Sequence, residues 1–185
     1  TQQVSEGDYV VRMDQPYGPL ADNLLGIQTY RPTDPAPYDD TGWTLGAVRN
    51  VVALPVTDSS VFSQPLTLLT DDVRVRGAAT GADAGRVAFL IPATTESNFA
   101  VFRFRLRQIR MFAAEDTFSL DGRSFPAGTV IVPLTGAGRD TERQVLAALD
   151  SLGLTAVAVR QVPTVARHEL DVPRIGLVHS WSTTQ

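Results

Sequence analysis

The only two histidines, His168 and His179, are the first candidates for chemistry. His168 stands in the polar phrase ARHELD and His179 in VHSW. Neither falls in His-Glu-x-x-His or His-x-x-Glu spacing, so no zinc-peptidase pair one helical turn apart can form locally. His179 follows the apolar run 175–178, and the C-terminal ends of strands are where open α/β sheets place ligands. His179, Ser180 and Trp181 are therefore the best-placed polar trio, although a strand-end imidazole more commonly makes a structural hydrogen bond. Paired carboxylates occur at Asp39-Asp40, Asp71-Asp72 and Glu115-Asp116. Oxygen ligands of this kind could hold a cation, but Asp in such places more often caps or turns the chain.

Gly136 and Gly138 follow a β-rich run and precede a helical pattern, as in a dinucleotide-binding turn. The phrase is TGAG without a third glycine, and Arg160-Gln161 stand where an acidic ribose ligand would be needed. That makes a weak nucleotide signal. No Gly-x-Ser-x-Gly elbow and no Gly-Lys-Ser/Thr phosphate loop is present.

The elements that must position these residues centre on 125–163. Thr129–Val132 is a β-branched run ending at Pro133. Asp140 or Thr141 is placed to cap a helix. Val145, Leu146, Leu149 and Leu152 recur at three- and four-residue steps, which lines one helix face. Gly153 suits a left-handed C-terminal cap, and Thr155–Val159 is a second strand. Strand, helix and strand at this spacing predict a βαβ unit with a parallel sheet. The fold expected is α/β: three-layer, with a mostly parallel sheet of flavodoxin-like or amidotransferase-like type and an antiparallel hairpin within it.

Before this unit, the pattern predicts strands at Tyr9–Met13, Val51–Leu54 and Arg86–Ile91, and a short helix from Pro19 to Leu25 stopped at Gly26. Val73 and Val75 alternate with Arg74 and Arg76 like a half-exposed strand, so 72–91 reads as a hairpin-like pair. Residues 94–111 alternate partly like a strand, but Phe99, Phe102, Leu106, Ile109 and Ala113 share a helical face, and a crossover helix is expected there. Arg103, Arg107 and Arg110 would then form a solvated face. Strand 111–114 follows, with an Asp121-Gly122 turn, and 174–179 is the last strand. Residues 163–173 read as connector. The proline-rich stretch 28–46 is extended loop. It carries Tyr38, Asp39, Asp40 and Trp43, whose aromatic rings either fill a seam under the loop or face a partner. The domain expectation is an N-terminal strand-helix and loop segment, 1–50, and an α/β sheet domain, 51–185.

A formal net charge of −4 favours neither nucleic acid nor an anionic membrane as partner. All 16 basic residues are arginine, but they are scattered rather than gathered in a patch. Cysteine is absent, which excludes disulfides, thiolate catalysis and Cys-based zinc sites. No run reaches the roughly 18 apolar residues that a membrane span needs. A start on polar Thr1-Gln2-Gln3 and a stop soon after the run 175–178 point to a segment of a longer protein.

Four phrases carry a family resemblance: GDYVVRMDQPYGPLADNLL (7–25), YDDTGWTLGAVRNV (38–51), RSFPAGTVIVPL (123–134) and PRIGLVHSW (173–181). They resemble a region of large bacterial proteins of the M14 zinc carboxypeptidase family, in which a peptidase domain is followed by an amidotransferase-like α/β region. The resemblance spans residues 7–185 as a pattern, without a catalytic motif. It implies a non-catalytic accessory domain, with the parent's peptidase domain as partner in cis and a secreted or periplasmic setting. It also implies that zinc belongs to the peptidase domain, with no cofactor in this segment. The family's zinc ligands, a His-x-x-Glu pair and a later His, have no counterpart here, and neither has the amidotransferase nucleophile, a Cys. The alternative is a small-molecule or glycan-binding module that uses strand ends near Ile91, Leu134 and His179.

Overall fold

The computed structural model describes residues 5–27, 29, 31–35, 44–138, 140–172, 174 and 176. It divides into two units, Thr1–Leu68 and Leu69–Gln185.

The first unit is built from short helices: α1 (Gly18–Leu25), α2 (Leu45–Val48) and a 3₁₀ turn (Ser59–Ser63). Pro19 lies in the first turn of α1, where its missing N–H leaves no bond unmade. The helix ends as the Gly26 N–H donates to Asp22 O at 2.8 Å. Asp58 caps the 3₁₀ turn by accepting the Ser60 N–H at 2.9 Å, and that bond holds its carboxyl below the usual aspartate range. The strands expected at Tyr9–Met13 and Val51–Leu54 do not form; both segments lack a ladder partner among the described residues. Local bonds turn the first of them instead. The Arg12 guanidinium grips Asp14 with two donors, and Gln15 Nε2 donates back to Arg12 O at 2.7 Å. The same guanidinium lies 4.9 Å from the centroid of the Phe62 ring.

The second unit is a mixed α/β sheet. Its strands are β1 (Ala78–Gly81), β2 (Ala88–Ile91), β3 (Phe112–Ala114), β6 (Val130–Pro133), β7 (Thr155–Val159) and β8 (Arg167–Glu169), in the order β1-β7-β2-β6-β3-β8. Strands β4 (Phe118–Leu120) and β5 (Arg123–Phe125) form a separate hairpin. Helix α3 (Asn98–Arg105) joins β2 to β3, and α4 (Thr141–Leu152) joins β6 to β7.

The expectation of a mostly parallel sheet is corrected here. Among the described residues only β1 and β7 pair in parallel; the ladders β7/β2, β2/β6, β6/β3 and β3/β8 are antiparallel. The expected strand-helix-strand unit is present as β6-α4-β7, but β2 lies between its strands. The second crossover, β2-α3-β3, is likewise split by β6. Two split crossovers that interleave in opposite directions make every neighbour among β7, β2, β6 and β3 antiparallel. This is the connectivity of the β-α-β-β-α-β, ferredoxin-like plait, extended by β1 at one edge and β8 at the other. The expected hairpin across 72–91 is also corrected, because β7 sits between β1 and β2.

Period-two alternation sorts the strand residues into two cores. Phe89, Ile91, Val130, Val132, Ala156 and Ala158 face α3 and α4, where they meet Phe102, Leu106, Val145, Leu149 and Leu152. Ala88, Leu90, Ile131 and Val159 face the other way, against Phe125, Phe118 and Leu120 of the hairpin and against Val162 and Val165. Both helices therefore share one face, and the hairpin with the 160–166 segment covers the other, in place of the helices on both faces that a three-layer sheet requires. The type I′ preference of Asp-Gly is met at Asp121 (φ 51°) and Gly122 (φ 76°). Gly153 adopts the left-handed conformation (φ 69°) that releases the chain from α4 into β7.

Candidate functional site

Tyr38, Asp39, Asp40, Trp43, His179, Ser180 and Trp181 lie outside the described residues, as does most of the expected last strand. The remaining expectations fall on three places in the second unit.

The first is the β3/β8 edge. Residues 167–169, expected as connector, form a strand, and His168 sits on it. Its Nδ1 is 3.3 Å from Glu115 Oε1, with the two side chains 60% and 51% exposed. Glu169 receives Arg110 through Nε at 2.9 Å and Nη2 at 2.8 Å. Exposed pairs of this kind are worth about 0–1 kcal/mol each. Their clearer role is to place charge along a sheet edge that would otherwise recruit another strand. Arg110 and Arg167 lie 4.8 and 5.2 Å from the centroid of the Phe112 ring.

The second is the turn before α4. Gly136 has φ 75°, and the Thr141 N–H donates to Gly138 O at 3.0 Å. Asp140 and Glu142 stand at this helix start, engaged by Arg143 at 3.0 Å and Arg86 at 2.9 Å. A helix N-terminus attracts anions; here the Asp140 side chain makes no cap bond to the helix, and both carboxylates carry arginine partners.

The third is the set of strand ends. Because β2 and β6 are antiparallel, with Ile91 opposite Val130 and Ala88 opposite Pro133, their C-terminal ends lie at opposite ends of the sheet. Leu134 bonds back to Val87 O at 2.8 Å. Ile91 and Leu134 therefore do not converge on one ligand, and this correction removes the basis for a strand-end pocket between them.

Two features are new. Arg103, expected on a solvated face, is 8% exposed. Its Nε donates to Leu170 O at 2.8 Å, and Nη1 donates to Leu106 O at 3.0 Å and Ile109 O at 3.4 Å. It satisfies carbonyls just beyond α3 and ties them to the chain leaving β8. The signal was available in the sequence: Phe99, Arg103 and Leu106 follow at four- and three-residue steps, so position 103 belongs to the apolar face. The other feature is an open hollow of about 470 Å³ lined by Val162, Pro163, Thr164, Val165, Ala166 and Arg167.

Among the described residues no group of three or more His, Cys, Asp or Glu side chains could hold a metal ion. No helix among them is long and apolar enough to cross a membrane. Comparison with family models, with curated proteins and with solved structures returned no match.

Proposed function

We propose that this chain is a non-catalytic accessory domain of an M14-like zinc carboxypeptidase, which docks on the peptidase domain and shapes substrate access to it. The four phrases described above support the family assignment. The observation that carries docking is the apolar surface of the first unit. Tyr9, Tyr17, Ile27, Val52 and Leu68 are 62%, 72%, 78%, 82% and 86% exposed. Two of them belong to Tyr9–Met13 and Val51–Leu54, β-branched segments that have the composition of strands but no ladder partner among the described residues. Large apolar side chains left uncovered in this number mark surfaces that meet another protein.

In this reading the zinc ligands belong to the peptidase domain, and this chain supplies none of them. Among the described residues of the second unit, Glu115 pairs with His168, Asp140 with Arg143 and Glu142 with Arg86. In this reading the metal and the hydrolysis of C-terminal peptide bonds belong to the peptidase domain. The β6-α4-β7 crossover is the part of the structure that supports the amidotransferase-like side of the resemblance. In this reading the docking surface comprises Tyr9–Met13, the stretch 28–46 and Val51–Leu54. The test is to replace Val52 and Leu54 by Asp, and separately to shorten loop 28–46, in the intact parent enzyme. Looser domain docking and altered peptide turnover are expected; parent variants with unchanged stability, docking and turnover would refute the proposal.

A further inference from the structure

The open hollow beside β8 has a mixed apolar and polar lining that includes one exposed cation, Arg167. Val162 and Val165 are half-buried against the core of Ile131, Val159 and Phe125, and Pro163 is buried. They contribute the apolar part of a mixed lining that also includes Thr164 and Ala166. Arg167 closes one wall and is held from two sides. Its Nη1 donates to Pro163 O at 3.1 Å, and its guanidinium carbon lies 5.2 Å from the centroid of the Phe112 ring. A planar fork fixed in this way loses little rotamer freedom when it takes a ligand. Arg12, Arg76, Arg86, Arg110 and Arg143 each pair with a carboxylate of the chain. Among the described residues Arg167 pairs with none, and its nearest acidic strand-mate, Glu169, is held by Arg110.

We propose that this hollow binds a carboxylate borne on a short apolar group, such as the C-terminus of a peptide that ends in an aliphatic residue. Arg167 would take the carboxylate, and Val162, Pro163 and Val165 the aliphatic side chain. The volume lies within the range of small-ligand sites, roughly 300–1,000 Å³. The site is distinct from the docking surface on the first unit and does not depend on it. Because the hollow is open, affinity is expected in roughly the millimolar range.

The experiment is an amide-shift NMR titration of the full chain with N-acetyl-leucine, N-acetyl-leucinamide, a short peptide ending in leucine, and inorganic phosphate. Saturable shifts confined to residues 162–167 and Phe112 are expected with N-acetyl-leucine or the peptide. The tighter of the two identifies the source of the carboxylate. The uncharged amide should bind about tenfold more weakly, and Arg167→Gln should remove that difference. Equal binding of acid and amide, no saturable shift with either acid, or shifts with phosphate alone would overturn the proposal. The comparison of acid with amide needs no variant, so it stands whether or not Arg167→Gln folds.

Discussion

Replacing Arg103 by Met would keep most of the buried aliphatic stem of the side chain and delete only its donors. Two of its three bonds, at 2.8 and 3.0 Å, are of ordinary length, and the third, at 3.4 Å, is long. Bonds from a charged donor contribute about 1.5–3 kcal/mol each, so the two short ones supply roughly 3–6 kcal/mol. Part of this returns because a cation no longer has to be kept out of water. The expected net loss is about 2–4 kcal/mol, a large share of the stability of an ordinary domain. Urea unfolding of the full chain should show the midpoint falling by about 1–2 M at an unchanged slope of about 2 kcal/mol/M. The loss should appear first at β8, where the Leu170 N–H bonds to Met111 O at 2.9 Å. Its amide should exchange faster in Arg103→Met than in the parent chain, while amides of β2 and β6 change only with global stability. Arg103→Lys should recover part of the loss, since one ammonium can reach some of the same carbonyls. A change below about 0.5 kcal/mol, with Leu170 protection intact, would show that water satisfies these carbonyls and that Arg103 does not latch the edge.

Leu149→Ala, at a position with no exposed surface, should cost about 3–4 kcal/mol by chemical denaturation, and a cost under about 1 kcal/mol would mean that α4 is not packed on the sheet as described. Gly77→Ala would bring a Cβ to 2.1 Å from both Leu149 O and Leu154 O; a loss of about 3 kcal/mol or more is expected, and a thermally unchanged variant would contradict the close approach of β1 to the end of α4. His168→Ala should cost less than about 0.5 kcal/mol in the same assay, because its pair with Glu115 is exposed. The Asp14 carboxyl is held low by its hydrogen bonds from Arg12. Since its folded value lies below its unfolded one, the clamp's contribution is complete above the ordinary aspartate range and is lost as pH falls through the depressed folded value. Carboxyl NMR should place the Asp14 midpoint below that of a free aspartate, and Arg12→Gln should raise it; a midpoint at the ordinary value would contradict the clamp.

Several elements of the second unit were legible because local chemistry agreed with the tertiary outcome. The apolar face of α4, the glycine that ends it and the Asp-Gly hairpin turn each have one local solution, and each appears where residue patterns place it. Strand order was not legible. Both crossover helices could be read, yet nothing local in Val130–Pro133 or Thr155–Val159 says that β2 inserts between them. Insertion is decided by which side chains complete the two cores, a non-local matter. The β-branched runs 9–13 and 51–54 differ for the opposite reason: strand composition describes a pleated, half-buried surface, and among the described residues these segments have no partner strand. Residues 167–169, by contrast, are too polar to read as a strand, and they become one because the edge position tolerates Arg, His and Glu. At the candidate sites, Arg103 was misjudged by charge although its spacing placed it on the apolar face. Arg167 carried no local signal, because its partners Pro163 and Phe112 come from a loop and a distant strand.

Docking on a peptidase domain is tested most directly by amide hydrogen exchange, with this chain compared alone and within its parent protein. Slower exchange in the parent across residues 9–13, 28–46 and 51–54, with the β2, β6 and β7 amides unchanged, is the predicted result. Equal exchange across those three segments in both settings would contradict it.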